Sequence, residues 1–500
     1  MPEEAKSSEA KPAEAPPAPP PPHYEEDLVE RDHTMVINGT EIPYRSQAGR
    51  VLLREEDGKK LASFFFTAYT RSDVDDPAAR PIVFAFNGGP GSSSVWLHMG
   101  AFGPKRVDLD DEGMPGPLPG RLVLNEESLL DVADVVFIDP VGTGFSRGIP
   151  REDQKKYHHF KRDIESVGEF IRIYLTRHQR WASPKFLAGE SYGTTRSAGL
   201  AAHLLDRHGI YFSGIILVSA ILNFLTGPFD TRTWTFSVGH DLPYVVFLPT
   251  YAATAWYHGR VAAEHRKKPL REFLAEVEAW AFGEYATALL QGDQLDERAS
   301  REVIERLSGY TGMPVDYLED YRMRIEILRF CKELRRSEGL TVGRLDSRYT
   351  GSDRFLAGDM LESDPSNDAI SGHFAATFND YMRSELGYES DLPYEVLSLE
   401  VHQAWDYEDF KNAIVDTSES LRQVMSRNRH MGVLVANGFF DLATPHKASE
   451  YTFSHMGLTE EQRQRVHMTY YEAGHMMYVH RPSHRQFATD VRSFILGASA

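Results

Sequence analysis

Residues 185–205 read KFLAGESYGTTRSAGLAAHLL. A short apolar run leads into Gly189-Glu190-Ser191-Tyr192-Gly193, and small and apolar residues with helical spacing follow. This is G-x-S-x-G between a strand and a helix, the context in which that spacing carries chemistry. The turn is too tight for side chains beside the serine, so glycines flank it. It lifts the Ser191 hydroxyl above the carboxyl end of a sheet, and the helix behind it adds a positive dipole end and unpaired N–H groups. A chance match is the bland alternative in a chain with 38 glycines, and the strand–turn–helix setting argues against it.

The segments around this turn repeat its logic. Pro81–Phe86 (PIVFAF), Val135–Asp139 (VVFID), Gly214–Ser219 (GIILVS) and Met431–Ala436 (MGVLVA) are short, almost purely apolar runs. Strands apolar on both faces belong in the middle of a sheet covered by helices. Gln154–Arg180 and Thr195–Arg207 supply helical stretches between them. Upstream, Thr34–Asn38, Glu41–Ser46, Arg50–Glu55 and Leu61–Tyr69 are rich in Val, Ile, Phe and Tyr. Asn38-Gly39, Ala48-Gly49 and Asp57-Gly58 separate them. These read as hairpins, with order beginning near Asp32. The expected fold is a mixed, mostly parallel α/β sheet with an antiparallel start and a doubly covered centre.

Between Ile221 and about Val401 no further apolar strand occurs. Charged segments of helical period, Pro243–His265, Pro269–Gln291, Asp293–Ser308 and Tyr321–Ser337, mark a mainly helical insertion, and a helix is expected over Glu400–Ser426. The chain thus divides into a Pro/Ala/Glu-rich tail (1–24), a first core part (30–224), the insertion (225–400) and a second core part (401–500). The tail has too little apolar surface to offset the entropy of ordering, so disorder is expected there. It lacks the apolar stretch of a signal peptide, so a cytoplasmic protein is the simplest reading, with a secreted or periplasmic one if a leader precedes or has been removed.

The 500 residues carry a formal charge of −19, 41% hydrophobic residues and one cysteine, Cys331. Length alone suggests roughly three domains, or one large α/β domain with an insertion. The apolar content excludes global disorder, and the acidic balance argues against a general nucleic-acid binder. A single cysteine excludes an intramolecular disulfide framework and any Cys-based zinc module. No apolar run approaches the ~20 residues of a membrane span.

A serine at neutral pH needs a base, and the base an orienting acid. The chain offers both just beyond later strands, where catalytic groups gather in open α/β sheets. Asn437-Gly438-Phe439-Phe440-Asp441 follows MGVLVA, and Glu472-Ala473-Gly474-His475 follows the strand-like Val466–Tyr471. Asp441 and His475 are therefore the candidates, ahead of Asp406 and Asp416, which lie on the expected helix. His480 and His484 lie nearby, but no HExxH or paired His/carboxylate spacing indicates a metal. Phe86–Ser94, FNGGPGSSS, follows PIVFAF. A Gly-rich turn there lets backbone N–H groups face a carbonyl oxygen, so Gly89 and Tyr192 are candidate oxyanion donors. Neither a Walker pattern nor GxGxxG is present, and no cofactor is expected. Val141–Ser146 (VGTGFS) is expected on the cleft floor.

FNGGPGSSS, Phe102-Gly103-Pro104, DVVFIDPVGTGFS, GESYG, NGFFD and GHMMY occur in order between about residues 80 and 480. In these the sequence resembles the serine carboxypeptidases (peptidase family S10), in a disulfide-free, bacterial-type form. The resemblance implies an α/β-hydrolase fold with a helical cap, peptide substrates with a free C-terminus, Ser191 as nucleophile, His475 as base and Asp441 as orienting acid. It implies an oxyanion hole from the Gly89 and Tyr192 N–H groups, and Asn87 and Glu190 as the groups that bind the C-terminal carboxylate. Two departures stand out. Ser92 replaces the family's usual Cys, and Ala101 stands where the family usually has a second carboxylate-binding Glu. A carboxylate facing a carboxylate is unfavourable unless one holds a proton, so Glu190 should titrate high. A cation could take the missing Glu's part, with Arg196, His98 and Lys105 as candidates, and a less acidic pH optimum is expected. An esterase or acyltransferase on the same triad is the competing reading. A non-catalytic scaffold is disfavoured, since it needs no Ser, Asp and His at three strand ends. Phe229, Trp234, Trp256 and the residues of Tyr244–Tyr257, in the insertion between Phe224 and about Val401, either line the substrate pocket or form the insertion's own core.

Overall fold

A computed structural model describes residues 25–228, 236–411 and 413–499. The expectation of disorder for residues 1–24 lies outside these residues. So do Phe229 and Trp234.

Nine strands build the main sheet: β1 Asp27–Ile37, β2 Thr40–Arg54, β3 Lys60–Arg71, β4 Ile82–Phe86, β5 Asp134–Ile138, β6 Lys185–Glu190, β7 Gly214–Val218, β8 Gly432–Gly438 and β9 Val466–Tyr471. Their spatial order is β1-β2-β3-β5-β4-β6-β7-β8-β9, and a two-residue strand, Arg147–Gly148, pairs with β3. Pairing is antiparallel from β1 through β5 and parallel from β5 through β9. The central strands alternate their side chains between two apolar layers. Val83 and Ala85 enter one cluster, while Ile82, Phe84 and Phe86 enter the other. Each fully buried aromatic or branched side chain contributes on the order of 1.5–3 kcal/mol.

Helices α1 Phe160–Arg177 and α2 Tyr192–His208 cover one face through Val167, Phe170, Ile171, Leu200 and Leu204. A helix at Arg481–Ser499 covers the other through Phe487, Val491, Phe494 and Ile495. Helices at Leu242–Tyr257, Leu270–Trp280, Glu297–Thr311 and Ile327–Glu333 pack around a third cluster, which includes Phe247, Phe273, Leu307 and Cys331. Trp256 and most of Tyr244–Tyr257 belong to that cluster. No helix among the described residues is long and apolar enough to cross a membrane.

Several local expectations change. The first strand starts at Asp27 rather than Asp32. Ala48-Gly49 is not a turn, because β2 runs unbroken through it. Gly49 is there because β1 passes so close that a Cβ would sit 2.0 Å from the Asp27 carbonyl oxygen. No single helix spans Glu400–Ser426. A short helix, Leu399–Ala404, gives way to a segment that is tied down by bridges from Asp406 to His159 and from Asp416 to Asn223 before Ser418–Arg427 turns helical. The helix Pro365–Ser384 falls within the expected insertion, yet its Phe374, Phe378, Tyr381 and Met382 pack beneath the main sheet. The separate helical packing unit therefore ends well before residue 400.

Candidate active site

Ser191 bridges β6 and α2 with φ 59° and ψ −128°, a left-handed backbone that non-glycine residues rarely adopt. The turn closes because its neighbours have no side chains. A Cβ on Gly189 would meet the Gly193 carbonyl oxygen at 2.2 Å. The Ser191 N–H donates to Val218 on β7, which fixes the turn to the adjacent strand. Across the cleft, the loop after β4 brings Asn87, Gly88 and Gly89 against the elbow. Gly89 has φ +102°, and a Cβ on Gly88 would lie 2.5 Å from the Tyr192 nitrogen. Tyr192 is the first residue of α2, where backbone N–H groups have no helical acceptor.

The loops after β8 and β9 bring Asp441 and His475 together, with His475 Nδ1 2.8 Å from Asp441 Oδ2. Asp441 is held from every side. Its Oδ1 accepts the Ala443 and Thr444 N–H groups at 2.8 and 3.0 Å, and its Oδ2 accepts the Thr444 hydroxyl at 2.7 Å. His475 is fixed through its backbone, donating to Leu345 O at 2.7 Å and accepting from the Ser219 hydroxyl at 2.6 Å. Burial pulls the His475 pKa down, but the charge and hydrogen bond of Asp441 outweigh it and hold the imidazole above its ordinary value. Ser191, His475, Gly89 and Tyr192 share one cleft of about 630 Å³ with Asn87 and Glu190. All seven residues singled out in the sequence thus converge on this cleft, Asp441 from behind His475.

Glu190 is buried beside Ser191. Its Oε1 accepts from Asn87 Nδ2 at 2.9 Å and its Oε2 from the Tyr478 hydroxyl at 2.7 Å. Burial pushes its pKa up to about 7, against the downward pull of His475, Tyr478 and Asn87. Asn87 is locked in turn, its Oδ1 accepting the Leu97 N–H at 3.1 Å and its carbonyl accepting Arg196 Nη1 at 2.7 Å.

None of the three proposed cations replaces the Glu missing at Ala101. Arg196 is buried and pairs with Asp163 at 2.8 Å. His98 is buried against the Tyr69 hydroxyl at 2.7 Å, and burial lowers its pKa to about 3, so it is neutral. Lys105 pairs with Glu385 at 3.0 Å. Among the described residues, a cation that does line the cleft is Arg344, whose Nε lies 4.0 Å from Asp364. Arg344 lies in the long insertion and in no motif, so no sequence signal marked it. Tyr478 closes the GHMMY motif, but nothing there indicated that its hydroxyl would reach Glu190.

Asp406 and Asp416 lie outside the cleft lining, in the segment bridged to His159 and Asn223. Val141–Ser146 does not line the cleft either. It braces the structure from behind, with Ser146 Oγ accepting the Phe65 N–H at 2.7 Å and the Gly144 N–H donating to Glu395 O at 2.9 Å. His480 bonds Ser483 at 2.8 Å and His484 bonds the Ala101 carbonyl at 3.1 Å. Among the described residues no group of three or more His, Cys, Asp or Glu could hold a metal. Phe224 lines the cleft, together with Ile221, Leu397, Trp405 and Tyr407.

Residues 37–279 match the family model described as serine carboxypeptidase. The pheromone-processing carboxypeptidase KEX1 of Saccharomyces cerevisiae is 33% identical over 156 residues, covering 29% of this chain and 20% of that protein. Serine carboxypeptidase-like 33 of Arabidopsis thaliana is 28% identical over 204 residues, covering 38% of each. The chain therefore spans about a fifth to two fifths of the length of these relatives. The crystal structure of the prohormone-processing carboxypeptidase KEX1(delta)p of Saccharomyces cerevisiae superposes with a TM-score of 0.56 at 17% identity, covering 90% of this chain and 91% of that one. That likeness concerns the fold, and the core here has the α/β-hydrolase arrangement.

Proposed function

The chain belongs to the serine carboxypeptidase family (peptidase family S10), and from that premise we propose that it is a serine-type carboxypeptidase. It hydrolyses C-terminal residues from peptides through an acyl-enzyme on Ser191. The observation that carries this reading is Glu190, a buried carboxyl beside the elbow that titrates near neutrality. Such a group, when protonated, donates to a carboxylate, and an esterase acting on neutral esters has no use for one there.

In this mechanism the Ser191 hydroxyl attacks the scissile carbonyl while His475 Nε2 takes its proton. Asp441 holds the imidazole through Nδ1 and stabilises the imidazolium. The tetrahedral oxyanion receives the Gly89 and Tyr192 N–H groups. The carbon–nitrogen bond then breaks, and His475 returns the proton to the leaving amine. Water attacks the acyl-enzyme, giving its proton to His475; the bond between the acyl carbon and Ser191 Oγ then breaks, His475 returns the proton to Oγ, and the acid product leaves. Asn87 and protonated Glu190 bind the C-terminal carboxylate, and the apolar wall of Ile221, Phe224, Leu397, Trp405 and Tyr407 receives the penultimate side chain. The helices of 242–333 serve as the cap.

The test compares a blocked dipeptide with its C-terminal amide and a set of acyl esters. The expected result is cleavage of the free acid far faster than of the amide, and none by a folded Ser191→Ala variant. Failure to cleave the free acid would sink the proposal. Equal rates on acid and amide, or turnover of esters alone, would leave a hydrolase or acyltransferase using the same triad.

A further inference from the structure

Glu190 shares its buried position with neutral donors. Tyr478 reaches Oε2 at 2.7 Å and Asn87 reaches Oε1 at 2.9 Å. Tyr478 sits on the turn Met477–Val479, three residues after His475, and is itself buried. Its ring occupies space that a glycine vacates. A Cβ on Gly100 would lie 2.5 Å from Tyr478 Cε2 and 2.7 Å from Cδ2. Ala101, next in the chain, contributes only its carbonyl, which Asn125 and His484 occupy. A tyrosine hydroxyl thus supports Glu190 from the side where no second carboxyl is present.

The chemistry of a phenol differs from that of a second carboxyl. Burial and the neighbouring Glu190 hold the Tyr478 pKa well above its ordinary value, so the hydroxyl keeps its proton and donates at any working pH. It never adds negative charge to a pocket that must accept a carboxylate. The other titratable groups facing Glu190 are His475, which favours its ionised form, and Asp441, which opposes it. The hydrogen bond from Tyr478 also favours the ionised form.

Resting on the carboxypeptidase reading, we propose that Tyr478 is a positioning residue for carboxylate recognition: its hydroxyl orients Glu190 and sets the pH above which the site rejects a C-terminal carboxylate. Gly100 makes room for the ring that delivers this hydroxyl.

The experiment measures kcat/KM from pH 5 to pH 9 for a blocked dipeptide acid and for its amide. It uses the wild-type chain, Tyr478→Phe, Gly100→Ala and Glu190→Gln. The acid-to-amide ratio removes the titration of His475, which both substrates share. In the wild type this ratio should fall above neutrality, by about tenfold per pH unit as Glu190 ionises. In Tyr478→Phe the fall should move to higher pH, because ionised Glu190 has lost a donor, and the acid-side ratio should drop about three- to tenfold. Gly100→Ala, which displaces the ring without removing the hydroxyl, should shift the fall the same way and covers the case in which Tyr478→Phe does not fold. Glu190→Gln cannot ionise and should give a ratio independent of pH. Ratio profiles that superimpose in wild type, Tyr478→Phe and Gly100→Ala, while the wild type prefers the acid, would overturn the role of Tyr478 alone. A wild type with no preference for the acid would overturn both this role and the carboxypeptidase reading.

Discussion

Arg196 and Asp163 form an ion pair at 2.8 Å with both side chains almost wholly buried, and the same guanidinium donates to the Asn87 carbonyl at 2.7 Å. The pair therefore links α1 and α2 to the loop that faces the cleft. Arg196 also lies over the rings of Phe86 and Tyr192, 5.2 and 5.1 Å from their centroids. Removing one member of a buried pair leaves the other charged and unsolvated, which costs about 3–5 kcal/mol. Asp163→Ala and Arg196→Met should each lower the urea midpoint by a matching amount. A double variant that is apolar at both positions should recover much of the loss. Single variants with wild-type midpoints would show that the pair is not a structural link.

Gly88 has backbone on every close side. A Cβ there would lie 2.5 Å from Tyr192 N, 2.6 Å from Glu190 O and 2.7 Å from Gly193 N, and none of these atoms is the end of a flexible side chain. Gly88→Ala must therefore push the loop away from the elbow and separate the Gly89 and Tyr192 N–H groups. Loss of oxyanion donors costs about 10²–10³ in kcat. The expected outcome is a loss of that order with KM changed far less. The folded state can be checked by circular dichroism.

The His475–Asp441 pair sets the acid limb of activity. His475 works as a base only when neutral, and its pKa lies above the ordinary histidine value. As pH falls through that raised pKa the base is lost, so kcat/KM on a substrate without a carboxylate should decline at a higher pH than for an unperturbed histidine. Arg344 opposes this rise, since a nearby cation disfavours the imidazolium. Arg344→Gln should therefore move the acid limb to still higher pH. Asp441→Asn should cut kcat by about 10⁴, because the amide cannot hold the imidazole in the same tautomer. An unmoved limb in Arg344→Gln would mean that Arg344 is screened from His475.

What the sequence revealed followed from local rules. PIVFAF and GIILV carry no polar side chain, so both faces of those strands had to be covered, and they are. GESYG and NGFFD begin on the last two residues of β6 and β8, and GHMMY follows the end of β9 after Glu472 and Ala473, so strand order alone brought Ser191, Asp441 and His475 to one edge. Gly49 misled because a glycine that admits a neighbouring strand looks the same in sequence as a glycine that turns. The stretch from Glu400 to Ser426 has helical composition, yet tertiary bridges at Asp406 and Asp416 override it. Arg344 and Tyr478 gave no signal because their roles arise from contacts across long sequence separations: 288 residues part Tyr478 from Glu190. Arg196, a candidate cation for the part of the Glu missing at Ala101, is instead paired with Asp163, 33 residues away in sequence.

Cys331 provides a probe of the helical segment. It lies on the helix Ile327–Glu333 with no exposed surface, packed in the cluster that includes Phe330 and Tyr251. Its thiol faces the Gly343 carbonyl at 3.8 Å. Burial pushes the thiol pKa far up, so the reactive thiolate is scarce as well as inaccessible. A thiol reagent should therefore label no cysteine in the native chain and one equivalent after denaturation, and reductant should leave Tm unchanged. Because Gly343 neighbours Arg344, opening of this region would disturb the cleft wall as well as expose the thiol. Slow labelling under native conditions should then run in parallel with loss of activity. Rapid native labelling with full activity retained would show that the helical segment opens independently of the site.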